Sequence, residues 1–139
     1  MAKKRKEQAR VLAQKQLASG IYDCLLETTL AKEAKPGQFI ALYPKDKSTL
    51  LPRPISICEA DAEKDTLRIV YRVVGAGTEE FSRLKEGDTV DILGVLGNGF
   101  PLDQVREDQT AFLMGGGIGV PPILELAKRL NCRKQIIVG

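Results

Sequence analysis

The sequence predicts an antiparallel β-barrel followed by the first βαβ of an α/β unit. Three observations carry this. Short apolar and β-branched segments broken by turns run from Val11 to about Leu96. A polar, acidic stretch, Pro101–Thr110, then changes the composition. Beyond it the pattern becomes strand, glycine loop, helix, strand. About six short strands with one small helix imply a closed barrel, because closure removes exposed edges. The expected organisation is a basic tail at 1–10, a barrel domain at 11–103 and a partial α/β domain at 110–139.

Each element has its own signal. Ile21–Thr28, "IYDCLLET", reads as a strand with Ile21, Cys24 and Leu26 as candidates for burial. Pro36–Gly37 makes a turn before an apolar strand, Gln38–Tyr43. "PISIC" is short and β-branched. Asp65–Val74 is the strongest strand, since Leu67, Ile69, Tyr71 and Val73 alternate with Arg68, Val70 and Arg72. "TEEFSRLKEGD" predicts a short helix with Thr78 as N-cap, Glu79 and Glu80 at its positive end and Gly87 closing the segment. Thr89–Gly97 completes the series. In the second unit, strands are expected at Ala111–Met114 and Gln135–Val138, with a helix over Pro121–Leu130. Ile123, Leu124, Leu126, Ala127 and Leu130 form its apolar stripe. Glu125 early and Lys128 with Arg129 late match the helix dipole, and Pro121 and Pro122 suit its first turn.

Composition narrows the chemistry. The chain has 139 residues, 43% of them hydrophobic, which suits one packed domain and part of another. No apolar run approaches the roughly 20 residues that cross a bilayer. The basic start "MAKKRKEQAR" is not followed by a continuous apolar region, so no secretory signal is read and a cytoplasmic protein is expected. Lys3, Lys4, Arg5, Lys6 and Arg10 against Glu7 give the first ten residues +4, which leaves −1 of the net +3 for the remainder. That run is read as a solvated tail, the alternative being a weak electrostatic contact with RNA or a partner. With no histidine, a Ser-His-Asp triad, a Cys-His pair and a His-ligated metal are excluded within the chain. Cys24, Cys58 and Cys132 lie far apart, cannot supply four cluster ligands, and are expected to be free thiols. No metal ligand and no catalytic side chain is assigned.

Two motifs suggest phosphate. The run Gly115, Gly116, Gly117, Gly119 opens a helix, where free N–H groups attract anions and glycines allow close approach. It is neither a P-loop nor a strict G-x-G-x-x-G. Dinucleotide binding and a tight turn that needs glycine only for geometry both remain open on the loop alone. In "LPRPISICEA", Arg53 sits between two prolines and Ser56 follows three residues on. A guanidinium there can clamp a diphosphate and the serine can hydrogen-bond a flat heterocycle; the plainer reading is a surface arginine and a strand serine. Tyr71 can pack on a ring or ribityl chain, Arg72 can meet phosphate, and the turn Gly75–Thr78 offers amides and the Thr78 hydroxyl as a second anion cradle.

The segments "RPISI", "VYRVVGAGT", "GVLGNGFPLD" and "LMGGGIGVPPILELAKRL" resemble the ferredoxin reductase-like flavoproteins, and among them the electron-transfer subunits of dihydroorotate dehydrogenase B. The resemblance spans about Val11 to Gly139. It implies that the barrel binds FAD and the α/β domain NAD, with the nicotinamide coenzyme as electron acceptor. Carried over by motif, Arg53, Pro54, Ile55 and Ser56, then Val70, Tyr71 and Arg72, then Gly77 and Thr78, are implied FAD-binding residues. Gly115, Gly116, Gly117, Ile118 and Gly119 are implied at an incomplete NAD site. The family passes electrons from dihydroorotate through FMN on a catalytic partner subunit and a 2Fe-2S cluster to FAD and NAD⁺, in pyrimidine biosynthesis and in a heterotetramer. The cluster cysteines of the family fall past Gly139, so the chain is expected to be a fragment, inactive by itself. The alternatives are a ferredoxin reductase-like subunit of a hydrogenase or sulfide dehydrogenase complex, and a non-catalytic barrel that binds protein or RNA.

Overall fold

The computed structural model describes residues 3–139. Its strands are β1 (Arg5–Ala18), β2 (Ile21–Glu27), β3 (Phe39–Tyr43), β4 (Arg53–Asp61), β5 (Thr66–Arg72), β6 (Thr89–Leu96), β7 (Thr110–Gly115) and β8 (Arg133–Val138). Two α-helices, α1 (Ala76–Ser82) and α2 (Pro121–Arg129), follow β5 and β7. The first six strands close into an antiparallel barrel in the order β1-β2-β5-β4-β3-β6. The alternation in β5 is what places the core: Leu67, Ile69 and Tyr71 point inward beside Cys24 and Leu26 of β2, which pair with Ile69 and Leu67. Each fully buried Leu or Ile there contributes about 1.5–3 kcal/mol.

One expectation is overturned at the start of the chain. From Arg5 onward the basic run is not a solvated tail but the first half of β1, paired with β6 from Arg5↔Gly94 to Arg10↔Thr89. Strand alternation sorts its charges. Lys6 and Arg10 face out, where Lys6 lies 4.1 Å from the Tyr43 ring centroid and Arg10 lies 3.7 Å from Glu27. Arg5 and Glu7 instead close one end of the barrel. Arg5 donates to Glu33 (2.6 Å) and to the Thr29 hydroxyl (2.9 Å), and the Thr28 hydroxyl donates to Glu7. A charge run thus serves as a strand because counter-charges await it on the barrel rim.

The "GNGFP" segment is a strap. Phe100 donates its amide to the Pro36 carbonyl at 2.8 Å, and its ring lies where a Cβ on Gly37 would come within 2.8 Å. At the other end of the barrel Gln14 gathers three elements. Its amide donates to the carbonyls of Phe81 and Leu84 at the end of α1, and its oxygen accepts from Tyr71 Oη at 2.7 Å.

In the second unit β7 and β8 are parallel, in register from Thr110↔Arg133 to Gly115↔Val138. Leu126 of α2 and Leu130, the residue that caps it, pack on Leu113. Lys134 donates to the Ala127 and Leu130 carbonyls and so satisfies the last turn of the helix. The helix also packs against β4 of the barrel. Phe112, Met114, Ile136, Ile137 and Val138 are exposed. Among the described residues no helix is long and apolar enough to cross a membrane.

Candidate functional site

The site is built on the first half of β4 and the end of β5. Because strand side chains alternate, Ile55 and Ile57 turn into the core while Pro54 and Ser56 stand exposed on the outer face. On β5, Tyr71 turns inward and Arg72 outward. Beside the Ile57↔Ile69 pair, Ser56 and Val70 are the next residues out on the two strands. The "RPxS" segment and the "VYR" segment, separate in sequence, therefore share one surface.

The turn after β5 joins them. Gly77 packs directly beneath Arg53: a Cβ there would lie 2.7 Å from Nε and 3.0 Å from Cζ of that arginine. Arg53 also donates to the Leu51 carbonyl. The Thr78 expectation is corrected in detail. Gly75 precedes the first turn of α1, and Thr78 is the third residue of the helix, not its N-cap. Its hydroxyl accepts from the amides of Val74 (2.8 Å) and Gly75 (3.1 Å) and donates to the Gly75 carbonyl. It is spent on shaping the turn and is no free anion ligand. The turn's remaining donors are the amides of Ala76, Gly77 and Thr78, which begin the helix and have no intrahelical acceptor.

Tyr71 is likewise corrected. Its ring is 2% exposed, stacks on Tyr22 with centroids 5.9 Å apart, and gives its hydroxyl to Gln14. Burial pushes its phenol well above the ordinary range. The ring belongs to the core, so any contact that Tyr71 offers a ligand comes from its backbone.

The glycine loop divides its tasks. A Cβ on Gly115 would meet the Gly119 carbonyl at 3.0 Å and Ile123 Cδ1 at 3.2 Å, so this glycine lets helix and strand close together. Gly117 has a φ of +55°, a left-handed conformation that glycine adopts without strain. Gly116 and Gly119 open onto empty space. Two loop amides are used within the chain, Gly117 donating to Gly139 and Gly119 to Gly116. Among the described residues the amides of Gly116 and Ile118 have no acceptor. The loop lies close to the barrel site, with Arg72 Nη2 3.9 Å from the Cβ position of Gly117.

The electrostatics favour an anion. Neither Arg53 nor Arg72 pairs with a carboxylate among the described residues, although most of the chain's other arginines do. Two unpaired guanidinium groups, a cradle that a Cβ would fill and free loop amides fit a ligand with a diphosphate. An iron–sulfur cluster does not fit. Cys24 and Cys58 are buried thiols, pushed up to about 12 and about 11 chiefly by that burial. Among the described residues no group of three metal-ligating side chains comes together.

Three residues that matter to the geometry have only weak signals in the sequence. Gln14 looks like one more polar residue of a charged segment, Ala60 offers only its amide, and Glu125 reads as a helix-dipole residue. Glu125 is in fact 3% exposed and holds α2 to the barrel.

No protein-family model matches the chain. Over 129 residues it is 50% identical to the "Dihydroorotate dehydrogenase B (NAD(+)), electron transfer subunit" of Enterococcus faecalis (strain ATCC 700802 / V583), a match covering 92% of this chain and 49% of that protein. It is 45% identical over 130 residues to the protein of the same name from Lysinibacillus sphaericus (strain C3-41), covering 93% and 51%. The chain thus spans about half the length of the curated relatives it matches. Among solved structures, an NADH-dependent reduced ferredoxin-NADP oxidoreductase superposes with a TM-score of 0.82 at 29% identity, over 94% of this chain and 46% of that one. Phthalate dioxygenase reductase superposes at 0.74 with 21% identity, over 96% and 43%, a likeness of fold alone. The barrel and the parallel unit after it are thus of the ferredoxin reductase-like kind.

Proposed function

We propose that this chain is the flavin-binding portion of the electron-transfer subunit of an NAD-dependent dihydroorotate dehydrogenase, an oxidoreductase of pyrimidine biosynthesis working in the cytoplasm. The observation that carries the reading is the convergence of Arg53 on Gly77, which makes a diphosphate cradle from two motifs 24 residues apart. Relatives of that name at 45–50% identity support it.

FAD is the cofactor that fits; when bound it exchanges a hydride with a nicotinamide and single electrons with a one-electron carrier. The residues supply binding and orientation. Arg53 and the amides of Gly77 and Thr78 would hold the diphosphate. Pro54, Ser56 and Arg72 would line the surface for the ring and ribityl chain, with Ile55, Val70 and Tyr71 contributing only their backbone. The amides of Gly116 and Ile118, in the loop Gly115–Gly119, would receive the phosphates of NAD. Over the whole reaction dihydroorotate loses two electrons and two protons; NAD⁺ takes up both electrons and one proton, and the second proton is released to solvent. The substrate is oxidised on a catalytic FMN-containing partner subunit, and this chain's residues face the NAD⁺ side. Among the described residues no side chains come together to hold a cluster.

A ferredoxin reductase-like subunit of another oxidoreductase complex is the second reading, favoured by the 29% identity to the ferredoxin-NADP oxidoreductase. The first experiment is the visible spectrum of the purified chain mixed with FAD, before and after desalting, beside Arg53→Ala. Retained flavin that weakens in the variant supports the reading. A folded wild type that emerges colourless overturns it. A subunit of the relatives' full length that carries this sequence, reconstituted with an FMN-dependent dihydroorotate dehydrogenase subunit, separates the two readings, since only the first restores dihydroorotate-dependent NAD⁺ reduction.

A further inference from the structure

We propose that Glu125 is a positioning residue that fixes the glycine loop opposite the cofactor face of the barrel; the proposal rests on the flavoprotein reading above. One side of β4 has an unpaired strand edge. β3 pairs with β4 only over Arg53–Ser56, so the far half of β4 runs past its neighbour on that side. The Ala60 amide lies on this stretch and would be an unsatisfied edge donor. Glu125 fills the gap, its Oε1 accepting from Ala60 N at 2.9 Å. A carboxylate with so little exposure persists only when its remaining lone pairs are used. Arg129, one turn further along α2, donates to Oε2 at 2.6 Å.

The contact continues into the barrel wall. Lys128 donates to Glu59 at 2.8 Å, Arg68 donates to the other Glu59 oxygen at 2.5 Å, and Arg68 grips Asp23 on β2 at 2.9 and 3.0 Å. Glu125, Lys128 and Arg129 stand at helical spacings of three and four, so one face of α2 carries the whole docking set. The two elements it joins are the ones that matter. β4 begins at Arg53, and α2 begins where the glycine loop ends. A fixed α2–β4 contact therefore sets the gap in which Arg72 faces Gly117. Transfer between two bound nucleotides depends steeply on such a gap, because a misplacement of about 1 Å costs on the order of a hundredfold in rate.

The test reads the gap and the chemistry separately. Spin labels go on Gln16→Cys and Gln135→Cys, both exposed, in a Cys132→Ser background that keeps the buried Cys24 and Cys58 unlabelled. Pulsed electron paramagnetic resonance then gives the distance distribution between barrel and α/β unit. One narrow distribution is expected with Glu125 intact and in Glu125→Gln, which retains an acceptor for Ala60. In Glu125→Ala it is expected to be at least about twice as broad, since the side-chain acceptor for the Ala60 amide among the described residues is gone. A Glu125→Ala distribution as narrow as that of the parent overturns the proposal. If Glu125→Ala does not fold, Glu125→Leu, which keeps the volume but offers the Ala60 amide no acceptor, decides: broadening supports the proposal and an unchanged width overturns it. With FAD bound, flavin reduction by NADH should slow about tenfold or more in Glu125→Ala and recover in Glu125→Gln, with FAD retention unchanged. Equal rates in Glu125→Ala and wild type also overturn it. A wild type that holds no FAD counts against the flavoprotein reading; where flavin is held but NADH does not reduce it, as an incomplete NAD site predicts, the distance distribution alone decides the role of Glu125.

Discussion

Arg53 and Gly77 occupy one another's space: a side-chain carbon at Gly77 would sit 2.7 Å from Arg53 Nε. The first comes from the mouth of a strand and the second from the start of a helix. Their contact converts two weak sequence signals into one cradle, because the arginine lies flat only where its neighbour has no Cβ. The atom in the way belongs to a flexible side chain, so a methyl group at Gly77 moves the guanidinium before it moves the backbone.

Gly77→Ala is therefore expected to leave the melting temperature within about 2 °C and to weaken FAD binding about tenfold. The Arg53→Ala and Gly77→Ala effects should be strongly non-additive, with a coupling of about 1 kcal/mol in a double-mutant cycle from FAD titrations. Fully additive losses would mean that the two residues act on the cofactor independently.

The glycines of the loop should separate by mechanism. Gly115→Ala presses a methyl against the Gly119 carbonyl and Val120 Cα, which are backbone, and should lower stability measurably. Gly117→Ala forces alanine to a φ of +55° and should cost about 1 kcal/mol in denaturant melts. Gly116→Ala meets nothing within 4 Å and should leave stability unchanged. If it nonetheless weakens nucleotide binding, the empty space at Gly116 is the ligand's.

Tyr71 and Ser56 should behave oppositely. Tyr71→Phe removes the donor to Gln14 and should cost about 1 kcal/mol of stability while FAD is retained. Ser56→Ala alters an exposed hydroxyl, so stability should hold while the flavin spectrum or affinity shifts. Loss of flavin in Tyr71→Phe without loss of stability would return the Tyr71 hydroxyl to the site.

The barrel was legible because β2 to β6 carry apolar alternation and turn residues, and the βαβ unit because a glycine run separates a strand from an amphipathic helix. β1 was hidden. Its inward positions include Arg5 and Glu7, whose partners Glu33, Thr28 and Thr29 come from a distant turn. No local pattern reveals such a pairing. The same holds for Thr78, whose hydroxyl reads as a helix cap or a ligand until the fold supplies the amides of Val74 and Gly75. Glu125 shows the general limit: its helix position was readable, but the amide it satisfies lies 65 residues away.

The ion pair between α2 and β4 makes a pH prediction. The Lys128 hydrogen bond holds the Glu59 carboxyl below the ordinary range, partial burial opposes it and Arg68 adds to it, while Glu59 holds Lys128 above its own range. A depressed carboxyl stabilises fully above its unfolded value of about 4.3 and loses that contribution as pH falls through the lower folded value. A raised ammonium stabilises fully below about 10.4 and loses its contribution as pH rises through the higher folded value. Between about pH 5 and pH 10 the pair is therefore at full strength. Lys128 is half-exposed, so solvent screening limits the contribution to about 0.5 kcal/mol. Lys128→Ala should melt about 1–2 °C below wild type at neutral pH. That difference should shrink as pH falls through the lowered folded value of Glu59. Calorimetry over a descending pH series checks it, and a gap that keeps its size down the series would mean that Lys128 acts through packing of its stem and not through its charge.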